Sequence, residues 1–168
     1  IIQHDTPVWS TSIKDWDEEM AISRRGTFLC CHFVVASMEE RHDGVGINRG
    51  SASGTIADDM CGPYGATKWG VVGYTMSLAK SVRPHGVRVN GLNPGWVDTD
   101  MAWEGIDGMA AGMGISRQEA NQIAMAPVPL GRMSTPEEIA RSVSWLMSPG
   151  ASSITGQGID VNAGAWMG

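Results

Sequence analysis

The sequence contains no apolar run close to the roughly 20 residues that a membrane-spanning helix needs. Its 12 basic residues are scattered among 18 acidic ones, and the net charge is −6. No basic patch for nucleic acid or for an acidic membrane is therefore expected. Of its three cysteines, Cys30 and Cys31 are neighbours whose side chains diverge on a helix, which favours a reducing, cytoplasmic location. The cysteines and four histidines lack the close spacing of a zinc site, so we expect no metal and a role in small-molecule chemistry.

A chain of 168 residues, 42% hydrophobic and 18% charged, is long enough for one domain with a substantial core. We therefore treat residues 1–168 as a single domain. The chain opens with Ile1-Ile2-Gln3-His4, which is neither a start methionine nor a signal peptide. From this opening we expect part of the natural protein to precede residue 1.

Hydrophobic periodicity predicts helices alternating with strands. The first helix should follow Ser12, with acidic groups through Glu19 favouring its positive end. A capping box at 135–138 should open the last helix. The predicted helices cover about 13–38, 63–82 and 136–148, and the predicted strands cover 44–50, 87–92 and 158–161. Such alternation is typical of an α/β fold, a doubly wound parallel sheet of Rossmann-like type.

Two features of the predicted helices bear on partners and substrate. The first two helices carry apolar residues on more than one face, which predicts contact with another subunit. Residues 101–133 contain five methionines and repeated glycines, which favours short, mobile helices that act as a lid. Trp96, Met101, Trp103 and Met109 either line an apolar substrate pocket or pack in the core or an interface.

The residues that point to chemistry are Ser51, Tyr64 and Lys68. Ser51 follows a predicted strand, and Tyr64 and Lys68 lie one turn apart on a helix face. In open α/β sheets, ligands bind beyond the carboxyl ends of the strands. A nearby ammonium and a helix N-terminus both favour the phenolate, so we expect the pKa of Tyr64 to be lowered. Ser51 can then position a substrate oxygen while Tyr64 transfers a proton, although a strand-end cap is the alternative role for Ser51.

Six further short motifs follow or overlap these residues along the chain. They are Tyr64-Gly65-Ala66-Thr67-Lys68, Val87-Arg88-Val89-Asn90, Asn93-Pro94-Gly95-Trp96-Val97-Asp98-Thr99, Gly131-Arg132-Met133, Thr135-Pro136-Glu137-Glu138 and Ile154-Thr155-Gly156-Gln157. With Ser51 thirteen residues before Tyr64, this set resembles the short-chain dehydrogenase/reductase family over nearly the whole chain. The resemblance implies interconversion of a secondary alcohol and a ketone with NAD or NADP.

By that resemblance, Tyr64 is the acid/base, Lys68 lowers its pKa and binds the nicotinamide ribose, and Ser51 orients the substrate carbonyl. The following turn would bind the nicotinamide: Pro94, Gly95 and Val97 pack on the ring and Thr99 contacts the carboxamide, although Thr99 is also a candidate helix N-cap. Trp96, Met101 and Trp103 would contact substrate. The first two long helices resemble the family's subunit interface, which implies a homodimer or homotetramer.

The chain departs from the family pattern at two places that matter. The family's Gly-rich phosphate loop and its cofactor-selecting residue are expected before residue 1. Ser23 stands where the family usually has an asparagine that supports a proton-relay water, so Ser23 is included among the catalytic candidates. Two hypotheses follow: a nicotinamide-dependent oxidoreductase, or a truncated, non-catalytic homologue that retains only the oligomerisation surface.

Overall fold

The computed structural model describes residues 7–57 and 61–167. Its helices are α1 (Ile13–Glu19), α2 (Arg25–Arg41), α3 (Gly62–Val82), α4 (Asp100–Met113), α5 (Arg117–Met125) and α6 (Pro136–Met147). Its strands are β1 (Val45–Arg49), β2 (Arg88–Pro94) and β3 (Gly158–Val161). The prediction of an upstream segment rests on the first four residues, and residues 1–6 lie outside the described residues.

The three strands form one parallel sheet in the order β1-β2-β3. Asn48 of β1 pairs with Gly91 of β2, and Asn93 of β2 pairs with Asp160 of β3. The carboxyl ends of all three strands therefore meet at one edge of the sheet. The predicted α/β fold with a parallel sheet is confirmed.

The predicted helix starts are confirmed at atomic detail. Ser12 caps α1 by accepting a hydrogen bond from the backbone N–H of Asp15 at 3.1 Å. Thr135 and Glu138 form the capping box of α6, each side chain bonding the other's backbone N–H. The first predicted helix is interrupted, however, because a π-helical turn at Met20–Arg24 joins α1 to α2.

Helices pack on both faces of the sheet, which makes the arrangement doubly wound. On one face, Ala79 and Val82 of α3 pack against Val89 of β2 and against Val87, which directly precedes that strand. On the other, Leu146 of α6 is fully buried against β2. Two hydrophobic clusters thus fix the sheet between α3 and α6.

Helices α4 and α5 form a separate apolar cluster around the fully buried Ile106. The region 101–133, predicted to hold short helices, therefore contains two helices that share a core. That this region moves as a lid stays a prediction. Within residues 7–57 and 61–167, no helix combines the length and apolar character that crossing a membrane requires.

Candidate active site

Ser51 lies two residues beyond the end of β1, at the edge where the strands terminate. Its side chain accepts a hydrogen bond from the backbone N–H of Ser53 at 3.2 Å, which caps the short 3-10 turn that follows. The Ser51 hydroxyl also lies close enough to the phenol of Tyr64 to lower its pKa. Ser51 is therefore both a cap and a partner of Tyr64, so the two roles considered from the sequence are compatible.

Tyr64 and Lys68 extend from the first two turns of α3. Lys68 is buried, and its Nζ lies 5.3 Å from the centroid of the Tyr64 ring. The same Nζ donates to the carbonyl oxygen of Arg49 at 3.2 Å, which ties α3 to the end of β1. The short turn after Ser51 also packs closely on α3. Gly54 in that turn allows the contact, since a Cβ there would lie 3.0 Å from the backbone of Lys68. The structure thus brings Ser51, Tyr64 and Lys68 together.

The pKa of Tyr64 is raised in this structure, and the lowered pKa expected from the sequence is wrong for the free protein. Burial is the largest cause, because it disfavours the charged phenolate. The hydrogen bond from Ser51 and the charge of Arg49 oppose it, while Glu19 and Cys61 raise the pKa further. The phenol is therefore held in its protonated form, ready to donate.

Burial also lowers the pKa of Lys68, to about 8, because a buried ammonium loses its hydration. The positive charge of Arg49 acts in the same direction, and the carboxylate of Glu19 opposes both. The Lys68 ammonium therefore loses its proton as the pH rises through about 8, well below the ordinary pKa of a lysine.

A cavity of about 390 Å³ opens beside Ser51 and Tyr64. The loop after β2 forms its opposite wall, held by backbone bonds from Ser134 N–H to the Trp96 carbonyl and from Asp98 N–H to the Ser134 carbonyl, each 2.9 Å. Predicted site residues that line the cavity are Ser51, Tyr64, Pro94, Gly95, Trp96, Val97, Thr99, Met101 and Met109. Most of the lining is apolar, so the polar groups are few and concentrated near Tyr64.

Thr99 occupies the N-cap position of α4, but its hydroxyl donates to the carbonyl of Val97 at 3.2 Å and makes no capping bond. The competing role as a side-chain cap is therefore not used in this structure. Thr99 as a residue is exposed and lines the cavity.

Three predicted site residues are not among the lining residues of the cavity: Lys68, which lies beside the Tyr64 ring, Trp103 and Ser23. Trp103 is not among its lining residues; its indole Nε1 donates to Asp98 at 2.7 Å, and Arg117 lies over the ring at 5.0 Å from the centroid. The contact of Trp103 with substrate therefore stays a prediction. Ser23 also lies outside the lining, and its Oγ donates to Oε1 of Glu19 at 2.7 Å.

Sequence reasoning missed Arg49 and Trp166 in the cavity wall. Arg49 is the one charged residue among the lining residues of this cavity in the described part of the chain. Because Arg49 is the last residue of a short strand, its position beside Ser51 was a signal that could have found it. Trp166 reaches the cavity only through the fold of the C-terminal segment.

A family model described as enoyl-(acyl carrier protein) reductase matches residues 1–165. The 3-oxoacyl-acyl-carrier-protein reductase FabG of Vibrio cholerae is 34% identical over 166 residues, covering 99% of this chain and 64% of the relative. D-threitol dehydrogenase of Mycolicibacterium smegmatis is 35% identical over 161 residues, covering 94% of this chain and 57% of the relative.

Solved structures give the same answer for the fold. Levodione reductase superposes with a TM-score of 0.92 at 27% identity, covering 98% of this chain and 62% of that one. Sorbitol-6-phosphate 2-dehydrogenase from Erwinia amylovora superposes with a TM-score of 0.94 at 26% identity, covering 100% of this chain and 66% of that one. The chain spans 57 to 64% of the length of the first curated relatives it matches.

Proposed function

The chain belongs to the short-chain dehydrogenase/reductase family, and from this premise we propose that its protein interconverts a secondary alcohol and a ketone with a nicotinamide cofactor, NAD or NADP. The observation that carries the proposal is that Ser51 and Tyr64 line the same largely apolar cavity, at the carboxyl end of β1. Lys68 lies beside the phenol ring and provides the positive charge. The roles of Ser51, Tyr64 and Lys68 in this reaction are part of the proposal.

In the direction of ketone reduction, Tyr64 donates its proton to the carbonyl oxygen and Ser51 holds that oxygen in place. The raised pKa of Tyr64, caused chiefly by burial, keeps the phenol protonated at neutral pH, as proton donation requires. In alcohol oxidation Tyr64 must start as the phenolate, which the Lys68 ammonium stabilises, and it becomes the neutral phenol when it accepts the proton of the alcohol. The raised pKa thus favours the reductive direction.

The residues present fit a nicotinamide cofactor, judged by the donors and the surface they offer. Tyr64 and Lys68 can donate hydrogen bonds to ribose hydroxyls, and Pro94, Gly95 and Val97 provide an apolar wall for the ring. The hydroxyl of Thr99, an exposed residue, can meet the carboxamide. When bound, the cofactor supplies the hydride.

We further propose that residues 101–133 form the substrate-binding lid, because Met101 and Met109 line the cavity while α4 and α5 share a core apart from the sheet. Trp96 would contact the substrate from the loop after β2. The ligand class is a small alcohol or ketone. The cytoplasmic location stays a prediction.

We also propose a homodimer or homotetramer formed through α1, α2 and α3. What supports this is a set of large apolar side chains exposed on these helices and on the turn that joins α1 to α2: Trp16, Ile22, Phe28, Phe33, Val34, Trp69 and Met76. Exposed apolar surface of this extent is typical of an interaction surface. A second copy of the same chain covers it most simply by pairing like helices.

The test uses the full-length protein, a nicotinamide cofactor and a panel of ketones and secondary alcohols, followed by the absorbance of the reduced nicotinamide. Tyr64→Phe should lower the rate by roughly 10²- to 10⁴-fold, the usual contribution of a general acid/base. Tyr74→Phe is the matched control, since Tyr74 lies on the same helix and bonds Cys31 outside the cavity lining. Circular dichroism should show that both variants fold.

Retention of most turnover by Tyr64→Phe would show that the role assigned to this residue is wrong. A full-length protein that assembles but neither binds cofactor nor turns over any substrate would instead favour the non-catalytic homologue. The Tyr74→Phe control separates these results from a general effect on α3.

A further inference from the structure

Glu19 is the last residue of α1, and its carboxylic side chain is completely buried. Ser23, one turn further along, donates from Oγ to Oε1 at 2.7 Å. The other oxygen, Oε2, is buried without a hydrogen-bond partner. Burial of a half-satisfied carboxylate is unfavourable unless a cation or a further donor compensates it. Glu19 therefore requires a partner that lies beyond its own helix.

The end of α1 packs on the part of α3 that carries Lys68. Met20, which follows Glu19, accepts a hydrogen bond at Sδ from Oγ1 of Thr67 at 3.4 Å. Thr67 is completely buried and directly precedes Lys68. The π-helical turn at Met20–Arg24 thus brings Glu19 and Ser23 toward the buried side of the active site. Such turns often occur at functional sites.

The Lys68 ammonium has donors to spare, and Glu19 has an acceptor, Oε2, that lacks a donor. An ammonium has three donors, and the carbonyl of Arg49 accepts one of them. In the described part of the chain, Glu19 and Lys68 are not among the ion pairs closer than 4.0 Å. One water molecule between them would give a partner to Oε2 and to the ammonium at once.

On the premise of the function proposed above, we propose that Glu19 is a positioning residue: its buried carboxylate is the counter-ion of the Lys68 ammonium through a bridging water, and Ser23 holds it in place. Glu19 then keeps Lys68 charged and oriented beside Tyr64. Ser23 acts on the site through Glu19 and has no direct contact with the substrate.

The charged groups around the site predict the sign of the effect. Burial and then Arg49 lower the pKa of Lys68, and Glu19 alone opposes them. For Tyr64, burial raises the pKa, Ser51 and Arg49 lower it, and Glu19 and Cys61 raise it. Removing the charge of Glu19 should therefore move both titrations to lower pH, and removing the charge of Arg49 should move both to higher pH.

The experiment compares pH profiles of kcat for Glu19→Gln, Ser23→Ala and Arg49→Met in the full-length protein. Glu19→Gln should displace both limbs toward acid, changing the rate on each limb at least about threefold. Ser23→Ala, which removes the donor to Oε1, should give a smaller displacement in the same direction. Arg49→Met should give the opposite displacement. Glu18→Gln is the matched control, since Glu18 is the exposed neighbour of Glu19 and should leave the profile unchanged.

A second measurement does not depend on turnover. Lysines labelled with ¹³C at Cε are titrated by NMR, and the Lys68 signal is assigned with Lys68→Arg. In Glu19→Gln the pKa of Lys68 should fall below its value of about 8. If Lys68 titrates identically in the wild type, Glu19→Gln and Ser23→Ala, the inference is overturned. If the titration shifts but the wild type has no activity, the proposed function fails while the coupling between Glu19 and Lys68 stands.

Discussion

Replacing Thr75 by Val tests how the strand that carries Ser51 is held against the helix that carries Tyr64 and Lys68. Thr75 Oγ1 accepts a hydrogen bond from Nδ2 of Asn48 at 2.9 Å and donates to the carbonyl of Val71 at 2.8 Å. Both side chains are buried. This bond joins β1 to α3 three residues before Ser51.

Valine has nearly the shape of threonine, so Thr75→Val removes the hydroxyl without opening a cavity. The Nδ2 group of Asn48 would then be buried without an acceptor. Such a group costs about 1–3 kcal/mol of the free energy of unfolding. The side-chain Oδ1 of Asn48 would keep its contact with Cys31 Sγ at 3.4 Å. The substitution also removes the donor to the Val71 carbonyl, but that carbonyl lies within α3 and keeps its backbone hydrogen bond.

Ser77→Ala is the matched control on the same helix. Ser77 also bonds a carbonyl four residues back, that of Gly73 at 3.0 Å, but it is exposed and has no strand partner in the described hydrogen bonds. Urea unfolding of the full-length protein should show a change within about 0.5 kcal/mol for Ser77→Ala, with an unchanged m-value. Thr75→Val should lose clearly more.

A double-mutant cycle isolates the Asn48–Thr75 interaction. In the background of Asn48→Ala, Thr75→Val should cost much less, because no buried donor remains to be left unpaired. We expect a coupling of roughly 0.5–3 kcal/mol between the two sites. Equal costs of Thr75→Val in both backgrounds would refute the reasoning.

Three other predictions concern packing, capping and assembly. Leu146→Ala should lower the free energy of unfolding by about 2–5 kcal/mol, measured with urea, because Leu146 is completely buried on the sheet. Glu138 should titrate by NMR near a pKa of about 2, chiefly because Arg132 hydrogen-bonds it. Its stabilising effect is therefore fully present above the ordinary pKa of about 4.3 and is lost as the pH falls toward 2. Phe33→Glu, at a position 75% exposed on α2, should weaken the proposed oligomer in analytical ultracentrifugation, whereas the same change at Met113 on α4 should not.

Local sequence signals predicted much of the fold because they act over a few residues. Ser12 and the pair Thr135–Glu138 identified two helix starts, since their side chains satisfy the free N–H groups of the first turn. Tyr64 and Lys68 were expected to be neighbours because four residues make about one helical turn. The interruption at Met20–Arg24 was not foreseen, because the same apolar spacing suits an α-helix and a helix with one wider turn.

Charge and burial at the site depended on tertiary structure. Glu19 was interpreted from its sequence position as one of several acids near a helix start, yet packing of α1 on α3 buries it completely. The pKa of Tyr64 is raised because burial outweighs the nearby charges, and no local spacing reports burial. Arg49 and Trp166 line the same cavity although they lie far apart in the sequence. The sequence by itself thus determined the helices, the strands and the order of the proton-transfer residues, while only the folded chain decided which charges lie close enough to control them.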